Sequence, residues 1–473
     1  MAQQKRNVIP IIPAAEVEES LLAVRQAIYP RAVSGWFANW RIALVLLTQL
    51  LYYGLPWLSW DGRQAVLFDL AARKFYILGL VLWPQDFIYL TGLLVISAFS
   101  LFLFTAIAGR LWCGYACPQT VYTEIFMWIA RKIEGDRPKQ IKLDQMPWNA
   151  EKISKKTGKH IAWLALSLWT GFTFVAYFVP AKELAPSFVH WTLGSWEIFW
   201  IFFYGLATYG NAGFMREQVC IFMCPYGRFQ SVMFDADTLT VTYDLNRGEP
   251  RGSRSKSIDH QAAQLGDCVD CGICVQVCPT DIDIRDGLQY ECIGCAACID
   301  ACDQVMDKMG YARGLIRYTT ENVIDGKYPD QKILAHALRP RTIIYSIVLL
   351  AIISTFAFSL LNRVPLRVDA IRDRISIRET TEGWVENVYR VQIINMDDQP
   401  HQYSIVVSGL PGIRIADGVG ALEVEPLQNK DAVVRVQLDP SQTKTQANPV
   451  LFTIQALDNQ KLKKTVKATF LSR

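Results

Sequence analysis

The sequence predicts a multi-domain membrane chain, and three observations predict it. Five long runs carry no charged residue, eight cysteines crowd into a short block before the last run, and the stretch after that run is cysteine-free and rich in β-forming residues. Composition agrees: 51% of residues are hydrophobic and only 19% are charged, against roughly 25% charged for an average soluble chain. A length of 473 residues suggests about two to four domains. The net charge of +4 is small and spread out, which argues against a nucleic-acid partner.

The first part, residues 1–40, reads as a polar cytoplasmic tail. It carries Pro10, Pro13 and Pro30 before any apolar run, so no cleavable signal is expected and the tail is expected to be mobile. A four-helix membrane domain, residues 41–225, follows. Its runs are Ile42 to Trp60, Phe87 to Gly109, Ile161 to Ala181 and Ile198 to Met215, and a fifth, Thr342 to Asn362, lies within 341–362. Each is long enough to cross about 30 Å of hydrocarbon as helix, and Trp40, Trp60, Trp191 and Trp196 stand where interfacial aromatic belts would. Phe75 to Trp83 is apolar but too short to cross, and reads as an interfacial or re-entrant piece.

Orientation follows from Lys and Arg in the connections. Residues 110–160 hold ten of them, 61–86 three and 182–197 one. Positive residues stay inside, so the N-terminus and all the cysteines are expected on the cytoplasmic face of the inner membrane. The C-terminal part then lies in the periplasm of a Gram-negative cell. All 12 cysteines belong to motifs, which argues against a secreted disulfide framework and for reduced thiols in the cytoplasm.

Two of the runs end alike. One reads Arg110-Leu-Trp-Cys113-Gly-Tyr-Ala-Cys117-Pro118, the other Arg216-Glu-Gln-Val-Cys220-Ile-Phe-Met-Cys224-Pro225. Positions i and i+4 share a helix face and Pro is expected to break the helix behind them. Four thiols from two helix exits make a soft-metal site for which Cu(I) is best suited, with Zn and a labile cluster as competitors. A redox-active disulfide within a motif and plain packing of small apolar side chains are the other readings. Met127, Met215 and Met223 are nearby in sequence as thioether candidates. His160 and His190 flank the third run without the facing-helix placement a bis-histidine haem needs; His160, His260 and His336 read as surface residues. Glu124 and Glu197 are candidates for proton or metal transit, or are simply solvated.

The third part, residues 226–340, holds the cysteine block. It runs Cys268-x2-Cys271-x2-Cys274-x3-Cys278-Pro279 and Cys292-x2-Cys295-x2-Cys298-x3-Cys302. This is the spacing in which three thiolates hold one 4Fe-4S cluster and the fourth crosses to its neighbour. Cys268, Cys271, Cys274 and Cys302 are thereby assigned to one cluster, and Cys292, Cys295, Cys298 and Cys278 to the other, in a bacterial-type ferredoxin fold. Zinc sites use pairs with longer spacers. Gly272 and Gly294 suit backbone that approaches a cluster closely. The second motif ends Cys302-Asp303 where Pro is usual, which touches local geometry and not the ligands.

The last part, residues 363–473, carries β-rich stretches such as Tyr389 to Ile394, Gln402 to Val407, Ala432 to Leu438, Val450 to Ile454 and Thr465 to Phe470, separated by turn residues. About seven short strands in about a hundred residues predict an immunoglobulin-like sandwich, with a docking role favoured over chemistry.

Five runs, paired Cys-x3-Cys-Pro exits on the second and fourth, a two-cluster block before the fifth and a sandwich tail together resemble the cytochrome c oxidase accessory protein family CcoG, also called FixG or RdxA. The resemblance covers nearly the whole chain. Helix-exit thiol pairs alone are also found in membrane proteins of the NapH and NosR type; the combination with the sandwich is the specific part. The resemblance implies a cupric reductase that turns Cu(II) into Cu(I) during assembly of cbb-type cytochrome oxidase, with Cys113, Cys117, Cys220 and Cys224 as the copper-reducing residues. It implies the oxidase assembly machinery or copper chaperones as partners, and a cytoplasmic electron donor. Two other functions fit the same residues. One is a membrane electron-transfer subunit passing electrons from quinol or ferredoxin to a partner protein; the other is a copper-binding assembly factor without turnover.

Overall fold

The computed structural model describes residues 28–256, 264–333, 338–380, 382–416, 418, 420–442 and 445–472. Most of the predicted tail, with His260 and His336, lies outside the described residues. The chain forms two compact units divided after Ala351.

In the first unit, helix α1 (Trp36–Gly54) starts where it does because of a distant carboxylate. The backbone N–H groups of Phe37 and Ala38 donate to Asp300, at 3.3 and 2.7 Å, so a side chain from the cysteine block caps the helix. Gly35 is required there, since a Cβ would strike the Asp300 carboxylate. The helix ends at Gly54, short of the predicted Trp60, as Pro56 opens a tighter turn.

Phe75 to Trp83 is no re-entrant segment. It forms strands β2 (Lys74–Ile77) and β3 (Leu80–Leu82), which extend an antiparallel sheet begun by β1 (Val66–Asp69). The turn at Leu78, φ 54°, folds it back, a tertiary pairing that a run of apolar residues does not reveal.

Helix α2 (Phe87–Ala108) coincides with the second run. A short turn, α3 (Leu111–Tyr115), follows, then α4 (Pro118–Glu134). Helix α5 (Ala150–Val175) begins well before the third run, in a Lys-rich stretch capped by Asn149, whose side chain accepts from Lys152 N–H. Helix α6 (Ser195–Thr208) then packs closely on α5: a Cβ on Gly171 would collide with the Ile201 carbonyl. Close crossings of this kind need small residues. Past Thr208 the chain winds into π-helical turns, Tyr209–Met215 and Val219–Met223, before α7 (Pro225–Met233).

The cysteine block is folded around a two-stranded sheet, β4 (Thr240–Tyr243) with β5 (Ile316–Thr319). Helix α8 (Ala297–Met309) packs on it through Ile299 and Met306. Helix α9 (Pro340–Leu361) matches the fifth run. By length and composition α2 and α9 can each cross a membrane, with mean hydropathies of 2.3 and 2.4 and none of those windows buried. The remaining runs are carried by helices that are short, broken or charged at one end. Helix α6 has 14 residues, which at 1.5 Å per residue spans only about 21 Å before the π-helical turns.

The second unit is a sandwich of two four-stranded antiparallel sheets. Its long strands are Leu366–Glu379, Val385–Asn395, His401–Ser408, Asn429–Leu438, Ala447–Ala456 and Lys463–Leu471. Alternate residues of both sheets, Tyr389, Val391, Val434, Val436, Phe452 and Ile454, are wholly excluded from solvent. That alternation is what a half-buried sheet produces.

Candidate functional site

All twelve cysteines are unbridged thiols, and the structure gathers them into three groups of four. Cys302 has Cys268, Cys271 and Cys274 as electrostatic neighbours. Cys298 has Cys278, Cys292 and Cys295. Cys220 has Cys113, Cys117 and Cys224.

The first two groups each line a cavity. One is walled by Cys268, Cys271, Cys274 and Cys302 with Tyr243 and Met306; the other by Cys278, Cys292, Cys295 and Cys298 with Ile282 and Ile293. Gly272 and Ala296 open the helices carrying Cys274 and Cys298, both left-handed at φ 62° and 59°. The pseudo-repeat is therefore geometric as well as sequential. Gly294, φ 66°, faces the Arg110 backbone, where a Cβ would sit 3.2 Å from its carbonyl. Close approach there serves the helix exit.

The Cys302-Asp303 departure has a structural consequence. With no Pro after Cys302, α8 continues to Met309 and the Asp303 carboxylate accepts from Gly314 N–H at 2.9 Å. The four-residue turn Ile273–Gln276, by contrast, stops before Cys278-Pro279.

Burial pushes the thiols up: Cys274 to about 11, Cys292 and Cys302 to about 12, and Cys298 well above its ordinary value. Such thiols ionise when a metal compensates the desolvation. Among the described residues no three His, Cys, Asp or Glu side chains converge on a single-ion site. Spread sulfurs are what a cubane asks for, since each thiolate takes its own iron.

The third group is built differently from expectation. Pro118 and Pro225 do not end the cysteine helices; they open α4 and α7, and Cys117 and Cys224 stand before them in extended backbone, ψ 128° and 109°. The residue before Pro is driven out of helix and Pro suits the first helical turn. Cys113 lies one turn away on α3, against the fully buried amide of Gln230, whose Nε2–H donates to Sγ at 3.4 Å. The four thiols are thus neighbours without converging on one ion as a ready-made site. Burial raises Cys113 to about 11 and Cys220 to about 12; Cys117 is also raised, an effect opposed by backbone N–H groups of Gln119 and Thr120.

The two thiol segments are tied to each other and to the cysteine block. Gln119 Nε2–H donates to the carbonyls of Asn211, at 2.9 Å, and Arg216, at 3.1 Å. Arg110 donates to the carbonyls of Gly227 (2.9 Å), Cys292 (3.2 Å) and Tyr290. At Gly114 a Cβ would fall 2.8 Å from Cys295 Cα, so backbone lies on backbone. Arg41 reaches the Cys295 carbonyl at 3.4 Å and pairs with Glu124 at 4.0 Å.

Nothing in the sequence singles out Gln119, Gln230 or Arg41 except a long polar side chain within an apolar stretch. Other candidates resolve plainly. Glu124 is ion-paired, to Arg131 at 3.1 Å as well, and Glu197 caps α6 through Gly194 N–H. His160 is no surface residue: it is half-buried, bonded to the Tyr209 hydroxyl at 2.9 Å and stacked on Phe214. His190 is exposed. Met127 is buried beside a small cavity that also borders Cys220, while Met223 is exposed.

Comparison with known proteins bears on all of this. Residues 215–321 match the family described as a 4Fe-4S dicluster domain. Residues 90–135, which contain Cys113 and Cys117, match a 4Fe-4S binding domain, and residues 356–473 the IG-like fold at the C-terminus of FixG. Protein RdxA of Cereibacter sphaeroides is 40% identical, covering 90% of this chain and 92% of its own. Nitrogen fixation protein FixG of Rhizobium meliloti is 38% identical over 88% of each chain. Protein RdxB of Cereibacter sphaeroides is 39% identical over 89% of this chain and 90% of its own.

Proposed function

Because the chain belongs to the FixG/RdxA family of iron–sulfur redox proteins, we propose that it is a membrane cupric reductase whose helix-exit thiols take Cu(II) and release Cu(I). The observation that carries this reading is the junction at Gly114 and Arg110. There the segment bearing Cys113 and Cys117 lies directly on the loop bearing Cys292 and Cys295.

Cys268, Cys271, Cys274 and Cys302 would hold one 4Fe-4S cluster, and Cys278, Cys292, Cys295 and Cys298 the other. When bound, these groups supply one-electron storage and transfer. The chain's own residues do the rest. Cys113, Cys117, Cys220 and Cys224 offer soft thiolates, which bind Cu(I) far better than Cu(II) and so favour the gain of an electron by the substrate ion. Cu(I) is content with as few as two of them, so a spread quartet can accept and pass on the ion. Each thiol that binds copper gives up its proton to water. Arg110, Arg41 and Gln119 hold the segments in register.

The remaining parts of the reading rest on sequence. The five uncharged runs form a multi-pass membrane domain, and the Lys/Arg pattern puts the cysteine-bearing side in the cytoplasm. Copper reduced there serves assembly of a cbb-type cytochrome oxidase, with its assembly machinery or copper chaperones as recipients.

The test is anaerobic Cu(II) reduction by purified, cluster-loaded protein that has been reduced with dithionite and freed of the excess, because free dithionite reduces Cu(II) by itself. Cys113→Ala/Cys117→Ala and Cys220→Ala/Cys224→Ala are each expected to keep the EPR signal of the two clusters and to lose Cu(I) production at least about tenfold. Unchanged reduction in both sinks the reading. A second reading, an electron-transfer subunit serving a partner protein, is favoured by the 4Fe-4S match over residues 90–135. It predicts a further cluster at the helix exits, and hence about twelve irons per chain where copper reduction predicts about eight.

A further inference from the structure

We propose that the cavity at the foot of α2 binds the ring of a membrane quinol and that this quinol is the electron donor, an inference that rests on the copper-reduction reading. The cavity, of about 250 Å³, is walled by four pieces of chain. They are the end of α2 with Arg110, the segment from Phe234 to Val241, the loop from Leu288 to Gly294 that carries Cys292, and Tyr318 of β5. The pieces are bonded together: Leu239 N–H donates to the Ile107 carbonyl at 3.0 Å, and Thr238 Oγ1 to that of Ala106 at 3.3 Å.

Size and lining choose the ligand. The volume falls below the roughly 300–1,000 Å³ of sites for drug-sized ligands, which admits one ring system and excludes a dinucleotide such as NADH. Leu111, Phe234, Leu239 and Leu288 make the walls apolar, and Tyr290 and Tyr318 present aromatic faces. No carboxylate lines the cavity. The Arg110 guanidinium, 4.8 Å from the Tyr290 ring centre, has its terminal N–H groups taken up by backbone carbonyls, and its positive field favours the anion a quinol forms as it loses its first proton.

Position supports the same ligand. Ala108, in the cavity wall, is the last residue of α2, one of the two helices able to cross a membrane, so the cavity sits where that helix leaves the bilayer. Phe229 and Val232 on the neighbouring α7 are exposed apolar residues, as a route for a lipid-soluble ring would have. Cys292 itself borders the cavity. In the balanced reaction one quinol and two Cu(II) give one quinone, two Cu(I) and two protons. Two O–H bonds break, the protons pass to water, and each copper ion gains one electron.

The experiment uses the cluster-loaded full chain in detergent and a tailless naphthoquinone as probe, with binding read by equilibrium dialysis. Leu239→Trp, which fills the cavity, is expected to weaken binding at least tenfold, and Leu288→Trp, which narrows it from the opposite loop, several-fold; EPR of the clusters checks that each variant is folded. The reduced probe is expected to reduce the wild-type clusters. No binding by the wild type, equal binding by both variants, or no reduction by the bound quinol overturns the proposal. Copper reduction by the dithionite-reduced protein is run beside it: if that fails while the naphthoquinol binds and reduces the protein, the copper reading falls and the quinol site stands.

Discussion

The two Cys-x3-Cys-Pro segments share a chemistry and differ in how they are held. In both, the second cysteine stands in extended backbone just before a proline that opens a helix. Counting from the first cysteine, however, Gly114 in one corresponds to Ile221 in the other. Gly114 lies on the Cys295 backbone, whereas Phe222 and Met223, in the corresponding turn of the second segment, are 53% and 57% exposed. The two arginines diverge as well. Arg110 is spent on carbonyls of α7 and the cysteine loop, while Arg216 bonds the Ile28 carbonyl and lies over Trp163. The thiols are duplicated and their attachments are not, so on the copper-reduction proposal electrons would reach the thiols through the first segment.

The sharpest way to break that comparison is to change each segment by a single carbon in turn. Gly114→Ala would drive a Cβ to 2.8–2.9 Å from Cys295 backbone atoms, and backbone cannot swing aside as a side chain can. We expect destabilisation of about 1–3 kcal/mol in urea unfolding and a loss of Cu(I) production by the dithionite-reduced protein of at least about tenfold, as small displacements cost such factors. Ile221→Val, half-buried, should cost about 1 kcal/mol or less and leave reduction near wild type. Equal losses in the two variants would mean that both segments conduct.

The arginines give a smaller effect of the same sign. Arg110→Gln removes donors from the carbonyls of Gly227, Tyr290 and Cys292, and we expect a loss of about 2 kcal/mol with a changed EPR line shape, because the Cys292 backbone relaxes. Arg216→Gln gives up the bond to Ile28 and should cost about half as much, with the EPR signal untouched. A line shape altered by Arg216→Gln and not by Arg110→Gln would reverse the assignment.

Local pattern carried the sequence reading a long way, and where it stopped has a physical reason. Runs of apolar residues located α2 and α9 almost to the residue, because nothing distant decides where an uncharged helix lies. Alternation located the strands around Tyr389, Val434 and Phe452 for the same reason. The hairpin at Phe75 to Trp83 was missed because strand pairing with Val66–Asp69 is a tertiary event. The start of α1 was missed because its cap, Asp300, is supplied from far along the chain. Pro118 and Pro225 look like stops in the sequence and are starts in the fold: the rule that Pro interrupts helix is symmetric in sequence, and the extended cysteine before it decides the direction. His160 looked like a surface residue because the rings around it, Tyr209 and Phe214, come from another segment. The polar residues at the helix exits, Gln119, Gln230 and Arg41, have meaning only through carbonyls and thiols that sequence does not place beside them.

Gln230 sharpens the comparison at its finest scale, because it belongs to the helix of one segment and acts on a thiol of the other. Burial, and to a lesser degree the neighbouring Cys117 and Cys224, raises Cys113, and the Gln230 amide opposes this by donating an N–H to sulfur. A donor to the thiolate lowers a thiol's pKa, so Gln230→Leu, close to Gln in volume, must raise it further. At a fixed alkaline pH below that value the thiolate fraction falls by about tenfold for each unit, and labelling of Cys113 by a maleimide should slow by about three- to tenfold. Cys220, whose rise is set first by burial and then by the neighbouring thiols, should label at an unchanged rate. Parallel slowing of both would mean that the substitution loosens the packing as a whole. Slowing of Cys113 alone would show that α7 tunes the first segment's thiol directly, so that two segments held in different ways still work as one site.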